Sequence, residues 1–342
     1  MALMRCFLFL CCLVQPVAAW AQTVLDVAAA PGLDATGRAE YGKFLIANLP
    51  RAFAVSNNGR AGWAGPAPSP EVARSVALER CAAVGGTGCA LYAVDLDVVW
   101  PGRPAWRHAS APGPMLSTGN YAFVPDERFF WHGPQAAAGA YVWSHGKGPA
   151  IDSDNRGLQP PAHVRPFNNA GFDVVRFDRA PLADDPNRAA GWLADGLAAL
   201  RRMGYRRIIA GGESRGGWTS LQMLDEPKAA DVVIAFTPGA HGTAASTLYL
   251  TGADDLRSVV RAADASTLRL AVVQFAADPF AGDLDDRAQL FGTLRGRIGA
   301  LLILDRPPGF TGHGAASSEA FAERYGACLL RFATSPAPPG AC

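Results

Sequence analysis

Lysine is scarce in this chain. Only Lys43, Lys147 and Lys228 occur in 342 residues, and no Lys/Arg run exists. The 31 Lys and Arg are offset by 30 Asp and Glu, leaving a formal charge of +1. A nucleic-acid partner and a polybasic membrane-surface binder are therefore not expected. Nor does any apolar run reach the roughly 18 residues that a membrane helix requires, so no stable membrane insertion is expected. The six histidines lack H-x-x-x-H spacing and the cysteines lack CxxC spacing, so no metal site is implied. Charged residues make up only 18% against 49% hydrophobic, which excludes disorder over most of the length and provides for a sizeable core. We read the Arg-for-Lys bias as compositional, without chemical meaning.

Residues 1–21 read as a secretory signal. Arg5 provides the positive start, Cys6 to Val14 the apolar stretch, and Ala19-Trp20-Ala21 a small-x-small cleavage site. Cleavage after Ala21 would place the mature protein in the periplasm or outside the cell. Four cysteines then remain, Cys81, Cys89, Cys328 and Cys342, which allow three pairings. They lie in two sequence-local pairs, so Cys81–Cys89 and Cys328–Cys342 are the simplest bridges in an oxidising compartment.

Two units are expected in the mature chain. Residues 22–105 read as a small α+β unit. Its segment 22–35 looks loose, helices are expected over 36–49 and 70–81, and strands over 51–56 and 90–100. A Pro/Gly-rich linker covers 101–118. Residues 106–342 alternate strands with helices, which argues for a parallel sheet covered on both faces. Strands are expected at 121–124, 127–131, 139–144, 172–177, 207–210, 232–236, 270–275 and 300–304. Helices are expected over 192–203, 214–224, 255–263, 284–294 and 318–332.

Gly212-Glu213-Ser214-Arg215-Gly216 fits G-x-S-x-G. The bare pattern is weak, but an apolar strand precedes it and a helix follows. That context holds Ser214 at a tight corner with its hydroxyl outward. A serine alcohol needs a base to become a nucleophile. Gly312-His313-Gly314 follows the last expected strand and offers His313. An acid must orient that imidazole; Asp278, where the chain leaves the strand at 270–275, is the first candidate and Asp283 the alternative. Two N–H donors are needed for an oxyanion. One is the backbone N–H of Arg215. The other comes from Ser144-His145-Gly146-Lys147-Gly148, with Lys147 favoured by position and Gly146 second. His145 and His241 are the candidates for substrate contact.

Residues from about 120 to 335 resemble the α/β-hydrolase superfamily, specifically its exported serine esterases and lipases. The elbow at Gly212–Gly216, the His145-Gly146 turn, the loops of Asp278 and His313, and the chain order Ser214, Asp278, His313 carry the resemblance. The His-Gly pair is like that of lipases and esterases, although the run of glycines is incomplete. The resemblance implies an α/β fold with an eight-stranded, mostly parallel sheet, helices on both faces, and a serine hydrolase that uses no cofactor.

The expected activity is cleavage of small or medium carboxylic esters through a Ser-His-Asp triad and an acyl-enzyme; no large lid is evident. The alternatives are a serine peptidase or amidase on the same fold, or a non-catalytic exported binding protein.

Overall fold

The computed structural model describes residues 23–101, 105–150, 152–226, 228–264 and 266–342. The expected signal segment, 1–21, lies outside the described residues. The N-terminal part builds helix α1 (Ala35–Ile46), strands β1 (Ala52–Val55) and β2 (Ala61–Ala64), helix α2 (Pro70–Ala83), and strands β3 (Ala90–Val94) and β4 (Asp97–Val98). The strands form an antiparallel sheet in the order β2-β1-β3-β4. Local chemistry sets the boundaries. Asp34 caps α1 by accepting from the Gly37 N–H at 2.6 Å, and Ser69 caps α2 ahead of Pro70. Cys81 and Cys89 are bonded and tie the end of α2 to the start of β3.

Three expectations in this region are corrected. Segment 22–35 was expected to be loose, but its described residues, 23–35, are not: Val24, Ala30 and Leu33 are buried, and the Tyr41 hydroxyl donates to the Val24 carbonyl at 2.6 Å. The expected strand 90–100 is broken at Asp95, whose φ of 54° reverses the chain into β4. Apolar alternation continues through that turn and hides it. β2 was also not foreseen; it returns from the Asn57–Gly59 turn, where Gly59 has φ +80°.

The larger part contributes strands β5 (Leu116–Ser117), β6 (Tyr121–Pro125) and β7 (Gly139–Ser144), helix α3 (Arg165–Asn169), strand β8 (Phe172–Arg179), helix α4 (Pro186–Met203), strand β9 (Ile208–Glu213) and helix α5 (Arg215–Leu221). Strand β10 (Val232–Phe236), helix α6 (Gly252–Ala262), strand β11 (Arg269–Gln274), helix α7 (Leu284–Gly292), strand β12 (Ala300–Asp305) and helix α8 (Glu319–Thr334) follow. The eight strands run β12-β11-β10-β9-β7-β8-β6-β5; β6 pairs antiparallel with both β5 and β8, and all other neighbours pair parallel.

Burial on both faces explains the unbroken apolar runs of the central strands. In β7, Ala140 and Val142 join the core under α4, α5, α6 and α7, built around Leu193, Leu197, Trp218 and Leu256. Tyr141 and Trp143 join the opposite core with Phe167 of α3 and Phe321 and Phe332 of α8. Residues 127–131, expected as a strand, form a turn in which the Phe129 N–H donates to the Asp126 carbonyl. Phe129 and Phe130 are buried in two different cores, and this mimics strand alternation.

The N-terminal part packs beside α3 and α8. The Asn48 amide donates to the Pro160 carbonyl at 3.0 Å and accepts from Arg165 Nε at 3.2 Å, and the Asn169 amide donates to the Leu45 carbonyl at 3.0 Å. Cys328 of α8 is bonded to Cys342. No helix among the described residues is long and apolar enough to cross a membrane. Strand order and the turns that follow β7, β9, β11 and β12 are those of the α/β-hydrolase fold.

Candidate active site

Ser214 occupies the corner between β9 and α5 with φ 56° and ψ −121°. Such a conformation costs a non-glycine residue about 1–3 kcal/mol and persists only where the surroundings impose it. Here they do. The Ser214 N–H donates to the Phe236 carbonyl at 3.0 Å, and its carbonyl accepts from Trp218 at 2.9 Å and Gly239 at 3.2 Å. The flanking glycines are required by close approach. A Cβ on Gly216 would overlap the Ser144 carbonyl, and one on Gly212 would lie 2.8 Å from the same oxygen.

Asp278 and His313 meet because the loops after β11 and β12 run side by side. Ala276 pairs with Thr311, and the Gly312 N–H donates to the Ala276 carbonyl at 2.8 Å. His313 Nδ1 lies 2.8 Å from Asp278 Oδ1, which also accepts from the Phe280 N–H at 2.9 Å. Asp278 is buried. The alternative acid, Asp283, is engaged elsewhere: Oδ1 caps α7 by accepting from Asp285 and Asp286. His313 Nε2 is buried and makes no hydrogen bond, so the contact expected from it to the Ser214 hydroxyl is open in this structure. Hydrogen bonds of this kind commonly tighten only around a bound substrate. The Phe280 ring lies against the imidazole with centroids 4.3 Å apart.

Glu213 adds a further carboxyl beside this pair, and nothing in the motif marks it, since it stands at a free position of G-x-S-x-G. Its Oε2 accepts from the Ser317 hydroxyl at 2.7 Å. Burial raises its pKa, and the Ser317 hydrogen bond, followed by the nearby imidazole, opposes that rise.

The turn after β7 lies against the elbow. A Cβ on Gly146 would be 3.3 Å from Ser214 Cβ and 3.9 Å from its Oγ. The turn is held from behind. His145 Nε2 accepts from the Arg179 backbone N–H at 3.1 Å. Its Nδ1 therefore carries the proton and donates to the Gly146 carbonyl at 2.7 Å. Burial, with the adjacent Arg179 charge, pushes His145 down to about 3, so the ring is neutral. The Asn155 amide donates to the same Gly146 carbonyl at 2.9 Å. A trans peptide is rigid and planar, so fixing that carbonyl turns the Lys147 N–H to the opposite side. Arg179, fully buried, also donates to the His145 carbonyl, to Ser144 Oγ at 2.7 Å and to Asp184 Oδ1 at 2.9 Å. Sequence reasoning gave Arg179, Asp184 and Asn155 no part in holding this turn. It also offered His145 to the substrate, whereas both ring nitrogens serve the backbone. The Lys147 side chain is exposed. The Arg215 guanidinium donates to the Asp184 carbonyl at 3.1 Å, away from any role for its backbone N–H.

His241 is bonded to Asp255 through Nε2 at 2.8 Å and meets the Trp218 ring edge-on at 4.8 Å. It lines a cavity of about 540 Å3 beside the site. Among the described residues, no three His, Cys, Asp or Glu side chains cluster closely enough to hold a metal.

No protein-family model matches the chain, and no curated protein matches it. Solved structures do. A Mycobacterium tuberculosis puromycin-hydrolyzing peptidase aligns with 17% identity and a TM-score of 0.45 over 62% of this chain and 37% of that one. An acylaminoacyl peptidase from Pyrococcus horikoshii aligns with 13% identity and a TM-score of 0.47 over 68% and 42%. Est1E from Butyrivibrio proteoclasticus aligns with 15% identity and a TM-score of 0.42 over 65% and 98%. The chain thus spans about two fifths of the length of the two peptidases. These likenesses concern fold. On strand order and the form of the elbow, the resemblance to the α/β-hydrolase superfamily holds.

Proposed function

We propose that this protein is an exported serine hydrolase that cleaves carboxylic esters. The observation that carries the reading is the His313–Asp278 hydrogen bond, with the second imidazole nitrogen buried and unpaired at the sheet edge that presents Ser214. In the proposed reaction, His313 Nε2 takes the Ser214 proton while Oγ bonds to the ester carbonyl carbon. The carbonyl electron pair moves to oxygen, held by the backbone N–H groups of Arg215 and Lys147. The C–O bond to the alcohol then breaks, and His313 returns its proton to the departing oxygen. Water, deprotonated by the same imidazole, attacks the acyl-enzyme and releases acid and free serine. Asp278 holds the imidazole in the Nδ1–H tautomer and stabilises its charged form. Ester cleavage is favoured over amide cleavage because alcohols leave more readily than amines. Two disulfides support an oxidising compartment.

The test is fluorophosphonate labelling of mature protein together with turnover of p-nitrophenyl esters and the matching anilides. Wild type is expected to label and to turn over esters faster than anilides. Ser214→Ala should lose labelling and at least about 10⁴-fold in kcat. A folded wild-type protein that neither labels nor turns over ester would refute the reading, and anilides turned over as fast as esters would shift it to an amidase.

A further inference from the structure

The cavity of about 540 Å3 is not lined by Ser214, Asp278 or His313. It lies behind one residue that touches the imidazole. Phe280 lines the cavity, and the same ring is 4.3 Å, centroid to centroid, from His313. The backbone joins the two spaces as well, since Gly239 lines the cavity while its N–H holds the Ser214 carbonyl. The volume falls within the range that encloses a small organic group.

The chemistry of the walls selects the occupant. Trp218, Tyr249, Leu256 and Leu290 join Phe280 as apolar surface. The charged groups in the lining are already engaged. Arg287 donates to Gln274 Oε1 at 2.9 Å and to the Pro238 carbonyl at 2.7 Å. Arg257 pairs with Asp254 and Asp286, Asp283 caps α7, and His241 is bonded to Asp255. A charged ligand would have to displace these partners, whereas an uncharged apolar one would not.

The mechanism selects the side. His313 must return its proton to the departing oxygen, so the alcohol half of an ester lies toward the imidazole and the carbonyl oxygen toward the Gly146–Lys147 turn. We propose that the cavity is the alcohol-side subsite, that it takes a bulky, uncharged apolar alcohol moiety, and that Phe280 is the wall that limits entry. This rests on Ser214 being the nucleophile, and it names the substrate class of that site.

Two ester series separate the halves of the substrate. One holds acetate fixed and varies a primary alcohol among ethanol, cyclohexylmethanol and 2-naphthylmethanol. The other holds p-nitrophenol fixed and lengthens the acyl chain. Phe280→Ala, which widens the passage, should raise the kcat/KM ratio of 2-naphthylmethyl to ethyl acetate by about tenfold. Ala253→Trp, at an exposed position in the lining, should fill the cavity and lower that ratio by a similar factor. The acyl-chain profile should stay unchanged in both. A shift in the acyl profile without one in the alcohol series would overturn the alcohol-side assignment. No shift in either series, in variants that still label with fluorophosphonate, would overturn the subsite. Because Ala253→Trp changes a surface residue, it decides the matter even if Phe280→Ala does not fold. Failure of wild type to label would strike the nucleophile reading itself, and is thereby distinguished.

Discussion

His163 and His145 fold as buried, uncharged imidazoles. His163 Nδ1 donates to the Ala316 carbonyl at 2.9 Å, its ring centroid lies 4.1 Å from that of Phe236, and burial lowers its pKa to about 4. His145 falls to about 3 for the same reason. Above pH 6.5 both are neutral folded or unfolded and contribute no pH dependence. Below pH 6.5 the unfolded chain takes up protons that the folded protein refuses. Stability is thus lost as pH falls toward 4, with a limiting slope of about 1.4 kcal/mol per pH unit for each histidine. His163→Phe should flatten the fall of the urea midpoint between pH 6.5 and 4, and an unchanged slope would contradict the account. Residue type alone could not sort these histidines. His145, His241 and His313 all sit in glycine-containing loops, yet of these three only His313 has a buried nitrogen without a hydrogen bond. The distinction lies in partners, such as Arg179 for His145, that are remote in sequence.

At the scale of elements, the turn after β7 is positioned by two donors on one carbonyl. Asn155 is half-buried and, among the described residues, its side chain makes one hydrogen bond, to Gly146. Asn155→Ala should leave His145 to hold that peptide alone and loosen the Lys147 N–H. The expected result is a kcat lower by about tenfold with KM little changed, less than the 10²–10³ lost when an oxyanion donor is removed outright. Equal loss in kcat and thermal stability would indicate that the loop had collapsed instead. Elements around this turn were legible because their signals are local. β7 and β10 fall on their expected residues, and the glycines of the elbow carry their own steric reason. The clamp formed by Arg179 and Asp184 was not legible, because a buried contact with a turn 34 residues away leaves no spacing in the sequence. β2 was lost because a short strand of alanine and glycine carries little periodicity, and the reversal at Asp95 because apolar alternation runs on through it.

Across the whole molecule, the N-terminal part is bound into the larger one. Phe130 and Trp106 belong to the apolar cluster of Tyr41, Phe44 and Phe53, and Arg165 reaches across to Asn48. Calorimetry of the mature chain should show one transition. Deleting residues 23–105 should lower Tm by about 10 °C or more or render the protein insoluble, through exposure of Phe130 and the buried Arg165. A truncated protein with the parental Tm would show that the contact is dispensable. The Asn48 N–H also meets Glu319 Oε1 at 3.5 Å, across 271 residues. Glu319 opens α8, six positions past His313. A contact between a residue made early and the last helix described cannot form until synthesis is nearly complete. On the proposed roles, synthesis order supplies the base last, so a chain released before residue 313 would carry the serine without the group that activates it.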